Sequence, residues 1–185
     1  MIRRILTDRL ILREFKVGDW QAVHAYASDE EVCRYQPWGP NTIAESRGFV
    51  RQVLMDRDKE PRTRFAFAVT TRSEKMIGAG ELNIRSFSHH TAEIGYVIHP
   101  DYWGQGLATE VGELLLGFGF KRMNMHRVYA TCDVRNTGSR KVLERIGMTQ
   151  EGKLRDHLLL RDGWRDSYVY SVLEHEWNGG RKNGH

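Results

Sequence analysis

The residues best placed to do chemistry form one run, His99-Pro100-Asp101-Tyr102-Trp103-Gly104-Gln105-Gly106, between an apolar stretch ending at Ile98 and a helical pattern starting at Leu107. A glycine-containing loop that opens straight into a helix presents unpaired backbone N–H groups and the positive end of the helix dipole, which is what a pyrophosphate requires. Glycine lets phosphate oxygens come up to the backbone. Taken alone, Gly104-x-Gly106 reads equally well as an ordinary strand-to-helix turn. A dinucleotide site on the same glycines, with Asp133 as ribose acceptor, fits poorly. Position 109 is Thr where a third small residue belongs, about five residues separate the strand from the first glycine, and the unit does not open an alternating βαβ series.

The elements that must position this loop can be read from periodicity. Residues 9–13 pattern as a strand, 17–27 as a helix with Trp20, Val23 and Ala27 on one side, and Thr42 starts a helix whose Ile43, Val50, Val53 and Leu54 share a face. Residues 64–70 alternate Phe65, Phe67 and Val69 with smaller neighbours, and 76–85 and 91–98 follow after short links, which predicts an antiparallel meander. Leu107, Val111, Leu114, Leu115 and Phe118 step at helical spacing before a strand at 127–132, so strand, helix and strand imply a parallel pair. Asn136 caps a further helix that Gly147 ends, and strands 149–160 and 164–173 join at Asp162-Gly163. Residues 1–177 read as one domain, and 178–185 as a polar, glycine-rich, flexible tail.

Composition narrows the class. A chain of 185 residues with 40% apolar and 28% charged residues can bury a core without disulfides or structural metal. Two distant cysteines, Cys33 and Cys132, argue for a reducing compartment, and no stretch has the length of a membrane span, so a cytoplasmic protein is expected. A net charge of +4 from scattered Lys and Arg suits a polyanionic cofactor better than a nucleic acid. The histidines lack metal-ligand spacing, and no metal is expected.

At this point the chain resembles a known family. The order of elements, the loop Trp103-Gly104-Gln105-Gly106-Leu107-Ala108, and Asn136-x-x-Ser139 followed by Leu143-Glu144-Arg145-Ile146-Gly147-Met148 are similar to the GNAT acetyltransferase superfamily. Thr7-Asp8-Arg9-Leu10-Ile11-Leu12-Arg13, Ala92-Glu93-Ile94-Gly95-Tyr96, Tyr102-Trp103-Gly104-Gln105-Gly106 and Glu151-Gly152-Lys153-Leu154-Arg155 resemble its ribosomal-protein N-acetyltransferase (RimJ/RimL-like) branch. The resemblance implies an α/β (α+β) fold. Its mixed central sheet would have about seven strands, mostly antiparallel with one splayed parallel pair, flanked by about four helices.

The resemblance also implies acetyl-CoA as donor and a primary amine as acceptor, most simply a protein N-terminal amine, with a polyamine or amino sugar as the alternative. No nucleic acid or membrane is expected, and a homodimer is left open. The cofactor would be held by Val97, Ile98, His99, Gly104, Gln105, Gly106, Leu107, Ala108, Thr109, Asn136, Ser139 and Lys141, with Arg140 and Arg145 further candidates for the 3′-phosphate. A backbone N–H near Val97 or Ile98 would bond the acetyl oxygen. Glu93, on the strand beside the splay, is the candidate base, and Ser139 the candidate partner of the leaving sulfur. His157 is a candidate lining residue of the acceptor groove. Loops 36–41 and 86–90 would shape the acceptor pocket. Leu143 stands where many family members carry a tyrosine acid, and Leu158 where the ribosomal-protein enzymes carry a glutamate. These two positions leave a non-catalytic acetyl-CoA-binding module as the reading from another class.

Overall fold

In a computed structural model that describes residues 4–179, alternation along the strands sets the layers. β1 (Ile5–Leu6), β2 (Leu10–Glu14), β3 (Arg64–Thr71), β4 (Met76–Ser86), β5 (Thr91–Ile98), β6 (Arg127–Asp133), β7 (Thr149–Leu160) and β8 (Gly163–Leu173) form one sheet in the order β1-β2-β3-β4-β5-β6-β8-β7. Every neighbouring pair is antiparallel except β5–β6. On β3, Phe65, Phe67 and Val69 enter the same buried cluster as α4 (Leu107–Met123), while Ala66 and Ala68 enter the cluster of α1 (Trp20–Ala27) and α3 (Ile43–Arg57). Both faces are therefore covered. Small residues bring α4 close: a Cβ at Gly119 would lie 2.9 Å from Leu82, and one at Gly80 3.0 Å from Val111.

Helix starts follow capping chemistry. Thr42 accepts a hydrogen bond from the Glu45 N–H at 3.2 Å while the Glu45 carboxylate accepts from the Thr42 N–H at 2.7 Å, a reciprocal box at the start of α3. Asn136 accepts from the Ser139 N–H at 2.9 Å and starts α5 (Thr137–Arg145).

The sheet has eight strands rather than about seven, because Ile5–Leu6 adds a two-residue edge too short to show alternation. Among the described residues there are five α-helices rather than about four. The extra one, α2 (Glu30–Cys33), is a single turn capped by Asp29, below the length at which helical spacing can be seen. Residues 17–19 form a 3₁₀ turn, so α1 begins at Trp20. Most of the expected tail, residues 180–185, lies outside the described residues. Among those described, no helix is long and apolar enough to cross a membrane.

The foot of the parallel pair is tied to the β7–β8 hairpin. Arg127 pairs with the Glu151 carboxylate, and the Ser171 hydroxyl donates to Glu151 at 2.7 Å. The guanidinium holds the Glu151 carboxyl down at about 2, against the opposing effect of partial burial. A folded-state value below the unfolded one, about 4.3, contributes stability that is present above pH ~4 and is lost as pH falls toward 2. Glu151 is 41% exposed, so solvent screening keeps that contribution under about 1 kcal/mol. Urea unfolding of Glu151→Gln is expected to show lower stability than the parent at pH 7 and a gap that narrows steadily as pH falls from about 4 to 2; a constant gap would remove the ion pair from the account.

Candidate active site

The sheet opens where its one parallel pairing stops. β5 and β6 are in register at Thr91 with Arg127, Ala92 with Val128 and Glu93 with Tyr129. Beyond Glu93, β5 continues beside β4 alone and β6 beside β8 alone, which leaves a V-shaped gap with Glu93 and Tyr129 at its apex. Strand hydrogen bonding alternates sides, so one fixed bond assigns the rest. The His99 N–H donates to the Ile77 carbonyl of the β4 edge at 2.8 Å. Val97 by alternation also turns its backbone to β4, while Ile98 and Tyr96 turn theirs toward the gap. The Trp103 indole N–H donates to the Ile98 carbonyl at 2.7 Å, from the gap side. Of Val97, Ile98 and His99, only Ile98 thus presents backbone groups to the gap, and Tyr96 is the second residue that does.

On one side of the gap lies a cavity of about 560 Å³ at the mouth of α4. Gly104 and Gly106 sit at φ 73° and 75°, a left-handed turn that favours glycine, and beside Gly106 the nearest heavy atom to an added Cβ would be Arg9 Nη2 at 3.9 Å. The Glu110 N–H makes the first helical bond to the Gly106 carbonyl, so the N–H groups of residues 107–109 are left without a helical partner, and these residues line the cavity. Arg9 braces the turn by donating to the Gln105 carbonyl at 3.0 Å and to Glu110 at 2.8 Å, and Thr7 also bonds Glu110. Four cations, Arg34, Arg135, Lys141 and Arg145, line the cavity against one acid, Glu31, and of these Arg135 is already paired with Asp133 and Asp162. An elongated diphosphate-bearing substrate fits that charge.

Val97, Ile98, Gly104, Gly106, Leu107, Ala108, Thr109, Asn136, Ser139 and Lys141 line this cavity. His99 and Gln105 do not. The His99 backbone is spent on Ile77 and on the Tyr102 N–H, and the Gln105 side-chain amide donates to the Asp101 carbonyl at 3.3 Å. Arg145 reaches the cavity, whereas the Arg140 guanidinium stacks on Tyr168 with its carbon 5.1 Å from the ring centroid. Asp133 offers nothing to a ribose: burial pushes its carboxyl up, but bonds from the Arg135 guanidinium and backbone outweigh this and hold it below the ordinary value.

On the other face of the sheet a second cavity, about 460 Å³, is lined by Tyr26, Trp38, Phe49, Asn83 and two ion pairs, Arg64 with Glu81 at 2.6 Å and Arg85 with Glu93. The two cavities meet at Gln36, Tyr96 and Val97. Gln36, Trp38 and Asn41 of the 36–41 loop border the second one, and no residue of loop 86–90 does. His157 does not line it either, since its Nδ1 lies 3.0 Å from Ser167 Oγ. At the junction the Tyr96 hydroxyl lies 3.3 Å from Ser139 Oγ, and burial pushes the nearby Cys132 thiol up to about 11. The wall at residues 35–36 is held from below by Arg165, 6% exposed, which donates to the Tyr35 carbonyl at 2.9 Å and to Ser167 at 3.0 Å.

Glu31, Val32, Arg34, Tyr35, Arg135, Tyr96 and the Arg64–Glu81 pair did not emerge from sequence reasoning. Tyr96 was within reach, because it stands two positions before Ile98 on a strand, but its partner on α5 becomes visible only in three dimensions. Among the described residues no group of three His, Cys, Asp or Glu side chains is placed to hold a metal ion.

Comparison with known proteins agrees with this geometry. Residues 9–149 match the model of the acetyltransferase (GNAT) domain. The uncharacterized N-acetyltransferase YnaD of Bacillus subtilis is 38% identical over 94% of this chain and 99% of its own. A GNAT-family acetyltransferase structure from Bacillus anthracis superposes with a TM-score of 0.81 at 36% identity, covering 94% of this chain and 99% of that one. Two Escherichia coli enzymes are more distant. The [ribosomal protein uS5]-alanine N-acetyltransferase is 27% identical over 96% of this chain and 94% of its own, and the spermidine N(1)-acetyltransferase 26% identical over 90% and 87%. With the family's loop, its splayed parallel pair and a cationic cleft between them, the chain belongs to the GNAT family and is an acetyl-CoA-dependent N-acetyltransferase.

Proposed function

We propose that the acceptor is the α-amine of a protein N-terminus, and that Glu93 and Ser139 serve its two ends of the reaction. The observation that supports this reading is the charge balance of the second cavity: each of its two carboxylates, Glu81 and Glu93, already has an arginine partner. A polyamine carries several positive charges and calls for surplus acid, which this cavity does not offer, whereas an N-terminus brings one amine and an uncharged backbone. Neutralising the nucleophile is also cheaper. Near pH 7 an α-amine of pKa about 7.8 costs roughly 1.1 kcal/mol to deprotonate, against about 4.6 for a lysine side chain.

In this reading acetyl-CoA lies along the cationic cleft with its diphosphate on the N–H groups of residues 107–109 and its thioester in the gap. The N-terminal amine enters from the second cavity, loses its ammonium proton to Glu93 directly or through water, attacks the acetyl carbon, and releases its second proton to water as the intermediate collapses to the amide. The Ile98 N–H bonds the acetyl oxygen as charge gathers there. The carbon–sulfur bond then breaks, its electron pair leaving on the thiolate beside Ser139. Both cysteines are buried and free, in keeping with a cytoplasmic setting.

Labelled acetyl-CoA offered together with Ala- and Ser-starting peptides and a polyamine panel tests the acceptor. Label is expected on the peptide α-amines. Label confined to polyamines or to lysine side chains would overturn the assignment.

A further inference from the structure

Leaving groups in this chemistry need a hydrogen-bond donor, and the α5 position where many family members place a tyrosine is here Leu143, 1% exposed and unable to donate. Another tyrosine approaches from the opposite wall of the gap. Tyr96 sits on β5, in the stretch where β5 has lost β6 as a neighbour, and borders both cavities. Its hydroxyl lies 3.3 Å from Ser139 Oγ and 3.5 Å from the Ser139 carbonyl. Ser139 stands in the first turn of α5, where the Asn136 cap takes its N–H at 2.9 Å and so fixes the serine's backbone. The two walls of the gap are thus bridged by one side-chain contact, at the place where the two cavities meet.

We propose that Tyr96 is a positioning residue for thiolate departure: by donating its O–H to Ser139 Oγ it leaves the serine's own proton free to point at the sulfur. Ser139 has one proton and two lone pairs, so accepting from Tyr96 commits a lone pair and not the donor. Chained hydroxyls of this kind polarise one another, which strengthens the outer bond. The roles of the pair follow from proton affinities. Burial raises the Tyr96 phenol well above its ordinary value, whereas a thiol has a pKa of about 8.5. Neither hydroxyl gives its proton up to the sulfur. Coenzyme A departs as a thiolate carrying the electron pair of the broken carbon–sulfur bond, hydrogen-bonded by Ser139, and takes a proton from water afterwards.

The test is a double-mutant cycle in the full chain, with any amine that the enzyme turns over, so its outcome does not depend on which acceptor is correct. Tyr96→Phe and Ser139→Ala are each expected to lower kcat about tenfold, the loss of one hydrogen bond to charge, with KM for acetyl-CoA within about twofold. The double variant is expected to lose no more than the Ser139→Ala single, and Ser139→Thr, which keeps the hydroxyl, to retain activity. Coenzyme A binding by calorimetry should be unchanged in Tyr96→Phe, whose hydroxyl acts on the sulfur only through Ser139. Multiplicative losses in the double variant, an unchanged kcat in Tyr96→Phe, or weakened coenzyme A binding in that variant would each overturn the proposal.

Discussion

Gly106→Val is expected to abolish useful binding of coenzyme A, raising Kd at least about 100-fold, while the chain still folds. Gly106 sits at φ 75° as the N-cap of α4. A side chain there costs about 1–2 kcal/mol, and a β-branched one more. That strain is local. The nearest heavy atom to the added Cβ is Arg9 Nη2 at 3.9 Å, so the Cβ itself meets no clash, and the melting temperature should fall by about 10 °C or less. Binding has no such tolerance. Either the valine projects into the mouth where a diphosphate must meet the N–H groups of residues 107–109, or the turn relaxes and those groups re-aim. Losing two hydrogen bonds to a charged group, at ~1.5–3 kcal/mol each, costs at least about 3 kcal/mol and gives the stated factor. Isothermal titration with coenzyme A decides the matter, and an affinity within threefold of the parent would move the diphosphate elsewhere.

The second large effect concerns Glu93→Gln, which keeps the shape of the side chain and removes its capacity to take a proton. With an N-terminal acceptor, kcat/KM at pH 7 is expected to fall about 100-fold, the usual size of a positioned general base. The loss should shrink as pH rises. At pH 7 roughly a seventh of an α-amine of pKa 7.8 is neutral, whereas by pH 9 nearly all of it is, so solvent does what the carboxylate did. The neutral fraction rises about sevenfold between the two values, so a deficit of roughly 15-fold at pH 9 is the expected result. An equal deficit at both values would mean that Glu93 acts by holding Arg85 and the pocket's charge balance, not as a base. Coenzyme A affinity should not change, because Glu93 lines the second cavity and not the cationic cleft.

Local chemistry was legible where a signal repeats or sits at a fixed offset. The apolar steps of α4, the alternation of Phe65, Phe67 and Val69, the Asn136 cap and the glycines of the turn each depend on neighbours within a few residues, and each appears in the structure near its expected place. The β7–β8 hairpin also fell within a residue of its expected turn, where Leu160 pairs with Gly163. Elements shorter than one period, β1 and α2, left no signal of their own. The residues after α2 nonetheless form the wall shared by both cavities, held there by Arg165, which lies 130 positions later in the chain.

The sequence by itself determined the glycine turn before α4, the strand–helix–strand unit that carries it and the family, because main-chain geometry at glycine and side-chain periodicity are local properties. Tertiary structure alone decided which backbone groups face the gap. That depends on the register with β4, where one bonded pair, His99 with Ile77, turns Ile98 and Tyr96 outward and Val97 inward. It likewise decided the charge of the second cavity, because Arg64 with Glu81 and Arg85 with Glu93 meet across strands, and Coulomb pairing depends on distance through space, not along the chain.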